Sequence, residues 1–277
     1  MNISMGSGSS SGSEMKRGTT TLSDGKRKYK DSDIVLGDFN KLTYRLNPTH
    51  KNIPRIPTKI PAIDEILGGG LSKGLNIFLG PAGSGKSLLA REISKQMKTA
   101  YVCCEVISDS PDHNTHPNVT TVDYTRYLPK PYKAIEELFT IVDHLNPDLV
   151  VIDSLTGFFS ASSKALPESD VREMVWKVHT ACDGNIPIIG VSEVRGQGFS
   201  RAPAGGQGVM HGCSLLCEFD KTTVKYDSMK ELYKATYGEV VYTLQVLKDK
   251  NNQASTKLNR LYWNKEEGYK HKIIGGE

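Results

Sequence analysis

The sequence predicts an α/β fold, a mostly parallel twisted sheet flanked by helices, with antiparallel strands added near the C-terminus. Three observations predict it. Apolar strand-length runs alternate with amphipathic helical runs through the middle of the chain. Residues 80–87 read GPAGSGKS, a glycine-rich loop set between an apolar run, LNIFL (75–79), and an amphipathic run, KSLLAREISKQMK (86–98). Strand 148–152, with the apolar run Leu149-Val150-Val151-Ile152, carries Asp153 at its end, the edge at which open α/β sheets bind ligands.

In chain order, residues 58–67 (TKIPAIDEIL) read as a short helix leading into Gly68-Gly69-Gly70. Strand 75–79, the glycine-rich loop and helix 86–98 follow. Strand 100–104 ends at Glu105, and a polar stretch, 106–118, leads to strand 119–123. Helix 131–145 has apolar residues at 135, 138, 139, 142 and 145, a helical period. Strand 148–152, helix 168–182 and strand 186–192 come next. Strands near 214–219 and 239–247 and a pair near 258–272 close the chain. That region shows consecutive strands and no helix, hence the antiparallel extension.

The chain has 277 residues, enough for one α/β domain with extensions. Its net charge of +4 is uneven. Residues 1–52 hold nine Lys/Arg against five Asp/Glu, and the remainder is neutral. The expectation is a flexible basic tail over 1–52 and a single domain over 53–277. Residues 1–32 are rich in Gly, Ser and Lys and too poor in apolar groups to offset their ordering entropy, and GSGSSSGS reads as a linker. The cluster Lys26-Arg27-Lys28-Tyr29-Lys30 reads as a solvated tail, with phosphate contact as the alternative. No apolar run approaches the ~18 residues of a membrane span, and the first residues lack the apolar core of a secretory signal. Five cysteines (103, 104, 182, 213, 217) show no disulfide or zinc spacing and read as core residues of a protein of the reducing cytosol. Metal binding by Cys213 and Cys217 is the weaker alternative.

The loop's chemistry follows from its residue types. Glycines let backbone N–H groups turn inward around phosphates, and the helix behind adds its positive N-terminus. Gly80, Pro81, Ala82, Gly83, Ser84, Gly85, Lys86, Ser87 and Leu88 form the expected nucleotide cradle. Lys86 reaches the β- and γ-phosphates, and the Ser87 hydroxyl holds Mg²⁺. Asp153, ending LVVID, is the second magnesium residue. The ligand is therefore ATP with Mg²⁺. Hydrolysis needs a group that activates water. Glu105, directly after an apolar strand, is the first choice, with a surface or helix-capping role as its alternative.

The series PTKIPAIDEILGGGLSKGLNIFLGPAGSGKS, YVCCE, DLVVIDSLTGF, IIGVSEVRG, PAGGQGVMHG and YGEVVYTLQVLKDK resembles the RecA superfamily, closest to its archaeal RadA-like and KaiC-like branch, over about residues 53–265. The resemblance implies a RecA-like P-loop ATPase core. It assigns water activation to Glu105 and a polar sensor to Ser192-Glu193, where recombinases carry Gln or Asn and many KaiC-like proteins carry Glu. It also implies that Lys248 and Lys250 reach the γ-phosphate held by a neighbouring subunit in a ring or filament. A basic turn facing water is the alternative. Residues 195–211 are similar to the second DNA-binding loop, with Arg195, Arg201, Gly205 and Gly206 as DNA-contacting residues and a short helix containing His211. A loop touching only the neighbour or the nucleotide is its alternative. The first DNA loop falls at 156–170, where Lys164 is the one base. Phe158 and Phe159 there either stack on bases or pack in the core. No Phe-x-x-Ala docking strand precedes the core; Gly37-Asp38-Phe39-Asn40 lacks the Ala.

Three readings follow. The first is an oligomeric ATPase that binds single-stranded DNA in recombination or repair. The second is a KaiC-like signalling ATPase acting on a regulatory protein partner. The third is a nucleotide-binding subunit with little turnover. None involves a membrane.

Overall fold

The computed structural model describes residues 53–104, 116–125, 131–160, 168–182, 185–195, 202–203, 206–264 and 266–274, all within the unit Asn52–Glu277. The strands are β1 (Gly74–Gly80), β2 (Thr99–Cys103), β3 (Val119–Asp123), β4 (Leu149–Asp153), β5 (Pro187–Arg195), β6 (Ala202–Pro203), β7 (Leu215–Thr223), β8 (Val240–Asp249), β9 (Asn259–Asn264) and β10 (Gly268–Ile273). The helices are α1 (Pro61–Ile66), α2 (Lys86–Ser94), α3 (Pro131–Leu145), α4 (Leu155–Ser160), α5 (Glu168–Ala181), α6 (Gly206–Gly212) and α7 (Asp227–Tyr233). One sheet runs in the order β10-β9-β8-β7-β1-β5-β4-β2-β3, and β6 folds back on the end of β5. From β7 to β3 all pairings are parallel; β8, β9 and β10 are antiparallel, as the sequence predicts.

Strand alternation builds two apolar layers. Leu75, Ile77 and Leu79 of β1 and Val150 and Ile152 of β4 pack against α3, α4, α5 and α6 on one face. Phe78 of β1 with Leu149 and Val151 of β4 packs against α1 and α2 on the other. Both faces of the central strands are covered, which is why those strands read as continuous apolar runs. Asn76, the one polar residue of β1's interior, is fully buried and spends all its capacity. Its Nδ2 donates to the carbonyls of Ser72, Gly74 and Ile188, and its Oδ1 accepts from the Ser72 N–H.

Four expectations are corrected. Helix 86–98 stops at Ser94, because the Thr99 hydroxyl donates to the carbonyls of Ser94 and Met97 and the chain turns into β2. The first helix begins at Pro61, not 58, with proline at the position where its missing N–H costs nothing. Residues 155–160, the start of the expected first DNA loop, form α4, and Phe158 and Phe159 are buried in the core. Base stacking by those rings is excluded, while Lys164 lies outside the described residues. The C-terminal region contains a helix after all, α7, with no buried residue and hence no apolar stripe to announce it. Four cysteines, 104, 182, 213 and 217, are buried core residues and Cys103 is half-buried; none forms a disulfide.

A buried ion pair ties the first described residues to the turn after β8. Arg55 donates to Asp249 Oδ2 at 2.5 Å, with both side chains 4% exposed, and also to Gln253 and Ser72. Asp249 accepts further bonds from the N–H groups of Asn251, Gln253 and Ala254. Burial alone would raise its carboxyl, but these N–H donors and the guanidinium hold it below the usual carboxylate range. Removing one partner of such a pair strands the other charge. Arg55→Met should lower the unfolding free energy by about 3–5 kcal/mol in urea at neutral pH. A carboxyl with a depressed folded value stabilises above its unfolded value and loses that contribution as pH falls through the folded one. The gap between Arg55→Met and wild type should therefore narrow below about pH 4, as wild type loses the pair as well.

Candidate functional site

Parallel register brings the candidate residues to one edge. Gly80 at the end of β1 pairs with Glu193 of β5, Asp153 with Val191, and Cys103 of β2 with Asp153. The glycine-rich loop therefore leaves the sheet beside Glu193 and one strand away from Asp153. Glu105, two residues past Cys103, lies outside the described residues.

The loop's form depends on its glycines. Gly83 and Gly85 sit at φ 71° and 97°, the left-handed region that a side chain disfavours. A Cβ on Gly80 would fall 2.3 Å from the Phe219 carbonyl oxygen, so β7 closes the loop's floor. Lys86, 6% exposed, folds back over the loop and donates from Nζ to the Pro81 carbonyl at 2.7 Å. The Ser84 hydroxyl is buried without a hydrogen-bond partner among the described residues. An orphaned hydroxyl, a folded-back ammonium and the N-terminus of α2 around one concave loop form an anion cradle.

Two oxygens that could hold a cation come together beside the loop. Ser87 Oγ stands 3.2 Å from Asp153 Oδ1, and the Tyr101 hydroxyl donates to Asp153 Oδ2 at 2.5 Å. A hydroxyl and a carboxylate oxygen side by side, beneath a phosphate cradle, have the hard-oxygen chemistry that Mg²⁺ requires. Tyr101 is one residue that sequence reasoning missed. Burial, then the Asp153 charge and its hydrogen bond, pushes its phenol far above the ordinary value, so it remains a donor. Its signal was a tyrosine in an otherwise apolar strand, whose hydroxyl needs a partner when buried. Lys221 was missed too. Its Nζ lies 3.6 Å from where a Cβ on Gly83 would stand, placing a second cation beside the loop.

The remaining candidates separate. Glu193 has an exposed side chain at the loop's edge, and its N–H donates to Thr156 Oγ1. Lys248 and Lys250 are at the other end of the sheet. Lys248 pairs with Leu216 of β7, which pairs with Ile77, and the Lys250 N–H bonds Ser214, whose own N–H bonds Leu75. Along β1, Gly80 is roughly 16 Å from Leu75, the level of Lys250, and roughly 10 Å from Ile77, the level of Lys248. Lys248 Nζ donates to the carbonyls of Met210 (2.5 Å) and His211 (3.2 Å), a cation at the C-terminus of α6. Partial burial, then the Lys248 charge, lowers the Lys250 ammonium from its ordinary value. The two lysines are thus close to each other and remote from their own loop. Arg195 ends β5, Gly206 begins α6 with φ 64°, and α6 contains His211 as expected. Arg201 and Gly205 lie outside the described residues.

Residues 76–191 match the profile of the ATPase family associated with various cellular activities (AAA). The chain is similar to two proteins named DNA repair protein RadA. It is 32% identical to that of Chlamydia trachomatis over 43% of this chain and 28% of the relative. It is 27% identical to that of Haemophilus influenzae over 68% of this chain and 42% of the relative. It therefore spans less than half the length of either relative. A KaiC-like protein from Pyrococcus horikoshii has the same fold, with a TM-score of 0.61 at 15% identity over 80% of this chain and all of that one. No described helix is long and apolar enough to cross a membrane.

Tyr101→Phe removes the donor to Asp153 Oδ2 and leaves a buried carboxylate oxygen short of a bond. A hydrogen bond to a charged group is worth about 1.5–3 kcal/mol. Urea unfolding should show a loss of that size.

Proposed function

We propose that this chain, a RecA-superfamily ATPase of RadA- and KaiC-like type, binds Mg·ATP and hydrolyses it in a head-to-tail oligomer whose active site two subunits share. The observation that carries the reading is the separation of Lys248 and Lys250 from their own phosphate loop. Both lie at the sheet edge that a neighbour in such an arrangement would present to the loop.

The geometry of the loop supports the roles of Lys86, Ser87 and Asp153, and the resemblance to the RecA superfamily supports those of Glu105, Glu193, Lys248 and Lys250. Loop N–H groups, the α2 N-terminus and Lys86 hold the β- and γ-phosphates, with Lys221 adding charge beside Gly83. Lys86 gives up the Pro81 carbonyl to do so. Ser87 and Asp153 hold the magnesium ion, which when bound offsets phosphate charge and orients the terminal phosphoryl group. Tyr101 fixes the Asp153 carboxylate. Glu105, just past β2, orients and deprotonates the attacking water, and Glu193 at the same edge is the polar sensor. Lys248 and Lys250 of the neighbour stabilise the charge that develops on the γ-phosphoryl oxygens. Residues 53–277 form the ATPase domain, and 1–52 is a basic tail.

Single-stranded DNA is the proposed polymer ligand, contacted by Arg195, Arg201, Gly205 and Gly206, in recombination or repair. The name of the RadA relatives and the glycine-rich approach to α6 support it. Glu193 and the KaiC-like fold favour a second reading, a signalling ATPase that acts on a protein partner.

Mixing tests the shared site. Lys86→Ala protein keeps its trans lysines, and Lys248→Ala, Lys250→Ala protein keeps its loop. Each alone should be inactive, and together they should recover ATPase activity at hybrid interfaces. Proven subunit exchange with no activity, or full activity of a dilute monomer, overturns the proposal.

Anisotropy of labelled single-stranded DNA separates the two readings. DNA binding should require ATP and weaken with salt, because phosphate contacts release counterions. Arg195→Ala, Arg201→Ala should lower affinity and flatten the salt slope. No ATP-dependent binding at low salt gives the function to the signalling reading.

A further inference from the structure

A nucleotide whose phosphates fill the loop must place its sugar and base nearby, and one wall beside the loop is aromatic. Residues Gly83–Leu88 and the last three strands enclose a pocket of about 420 Å³. Ligand pockets usually measure about 300–1,000 Å³. Its far wall follows from strand register. Tyr242 of β8 pairs with Leu261 of β9, Trp263 stands two residues beyond Leu261, and Trp263 pairs with Tyr269 of β10. Paired residues and alternate residues share a face, so the four form one continuous stripe. Phe219 of β7 continues it to the loop's floor.

Two of these rings are exposed: Tyr242 is 37% and Trp263 45% exposed. A flat aromatic ligand would cover both. The wall offers ring faces and little that can read a base edge. Its described side-chain polar groups outside the loop are two phenol hydroxyls, which rotate to donate or accept, and an indole N–H. Adenine presents an acceptor ring nitrogen beside an amino donor; guanine presents the reverse pattern at the same edge. A phenol satisfies either, and no described carboxylate or amide in the lining selects one.

We infer that the stripe Tyr242, Leu261, Trp263 and Tyr269 is the base subsite of the nucleotide site and that it holds purines by stacking, with little choice between adenine and guanine. This inference rests on the phosphate-loop reading above. Stacking depends on ring area, so pyrimidine nucleotides bind more weakly than either purine. Apolar pockets discriminate by no more than about 100-fold, and the two purines, equal in ring area, should lie within about tenfold.

Calorimetric titration of the full chain with Mg²⁺ and ADP, GDP or inorganic tripolyphosphate tests it. Tripolyphosphate has no base and reports the loop alone. Wild type should bind ADP and GDP within about tenfold of each other. Trp263→Ala should weaken both by about tenfold or more, the cost of one lost stacking partner. It should bind tripolyphosphate as wild type does, and Trp263→Phe should restore most of the loss. Tyr242→Ala gives a second reading if the tryptophan variant fails to fold. Unchanged ADP affinity in both alanine variants, or more than 100-fold preference for ADP over GDP, overturns the subsite. Failure of wild type to bind tripolyphosphate and ADP overturns the phosphate-loop reading and the subsite with it, whereas tripolyphosphate binding that Lys86→Ala abolishes upholds the loop independently.

Discussion

Backbone pairing of β1 between β5 and β7 is the constraint on which the rest depends. Its seven residues are all buried, and its register with β5 sets Gly80 beside Glu193. A parallel sheet accepts no partial slip. Moving β1 by one residue would exchange its two faces, driving Leu75, Ile77 and Leu79 toward α1 and α2 and turning Asn76 away from the carbonyls that satisfy it. The loop that follows would start one residue early and lose its floor at Phe219. The site is exact because the core is unforgiving, and the same residues serve both.

The parts legible in the sequence are those encoded locally. The loop, its strand and its helix are contiguous, and Asp153 ends its own strand, so residue type and order identify them. Helix 131–145 and strand 119–123 match their expected bounds for the same reason, strong period and clear punctuation. What escaped depends on distant partners. Thr99 ends α2 from five residues beyond it, through hydroxyl bonds that periodicity cannot express. Tyr101 matters because Asp153, 52 residues on, is one strand away. Lys221 matters because β7 crosses under Gly83. The aromatic stripe was visible as alternation in three strands, but only their mutual register shows that the rings share a face.

The two ends of the sheet are chemically unlike. One carries the anion cradle, the oxygen pair of Ser87 and Asp153, and an exposed carboxylate at Glu193. The other carries Lys248 and Lys250, with Arg172, His179 and His211 lining a neighbouring pocket. Burial, then the Lys250 charge, lowers the His179 imidazole from its ordinary value. Lys248 is already oriented by the carbonyls of Met210 and His211. A subunit that needs little rearrangement to present a cation loses little entropy when it does so. The same tether links the lysine to α6, the helix that follows the glycine-rich approach. Any ligand that moves α6 would move Lys248 with it.

The chain has two tryptophans, and the fold sets them at opposite ends of that axis. Trp263 stands beside the phosphate loop, and Trp176 lies on α5 in the pocket that also holds Lys250. Trp176 is 69% exposed and close to His179. The molecule therefore carries two intrinsic fluorophores in separate surroundings. A ligand in the cradle would change the surroundings of Trp263, and a molecule at the far edge those of Trp176. Two single-tryptophan proteins would report on the two ends separately, with no dye attached.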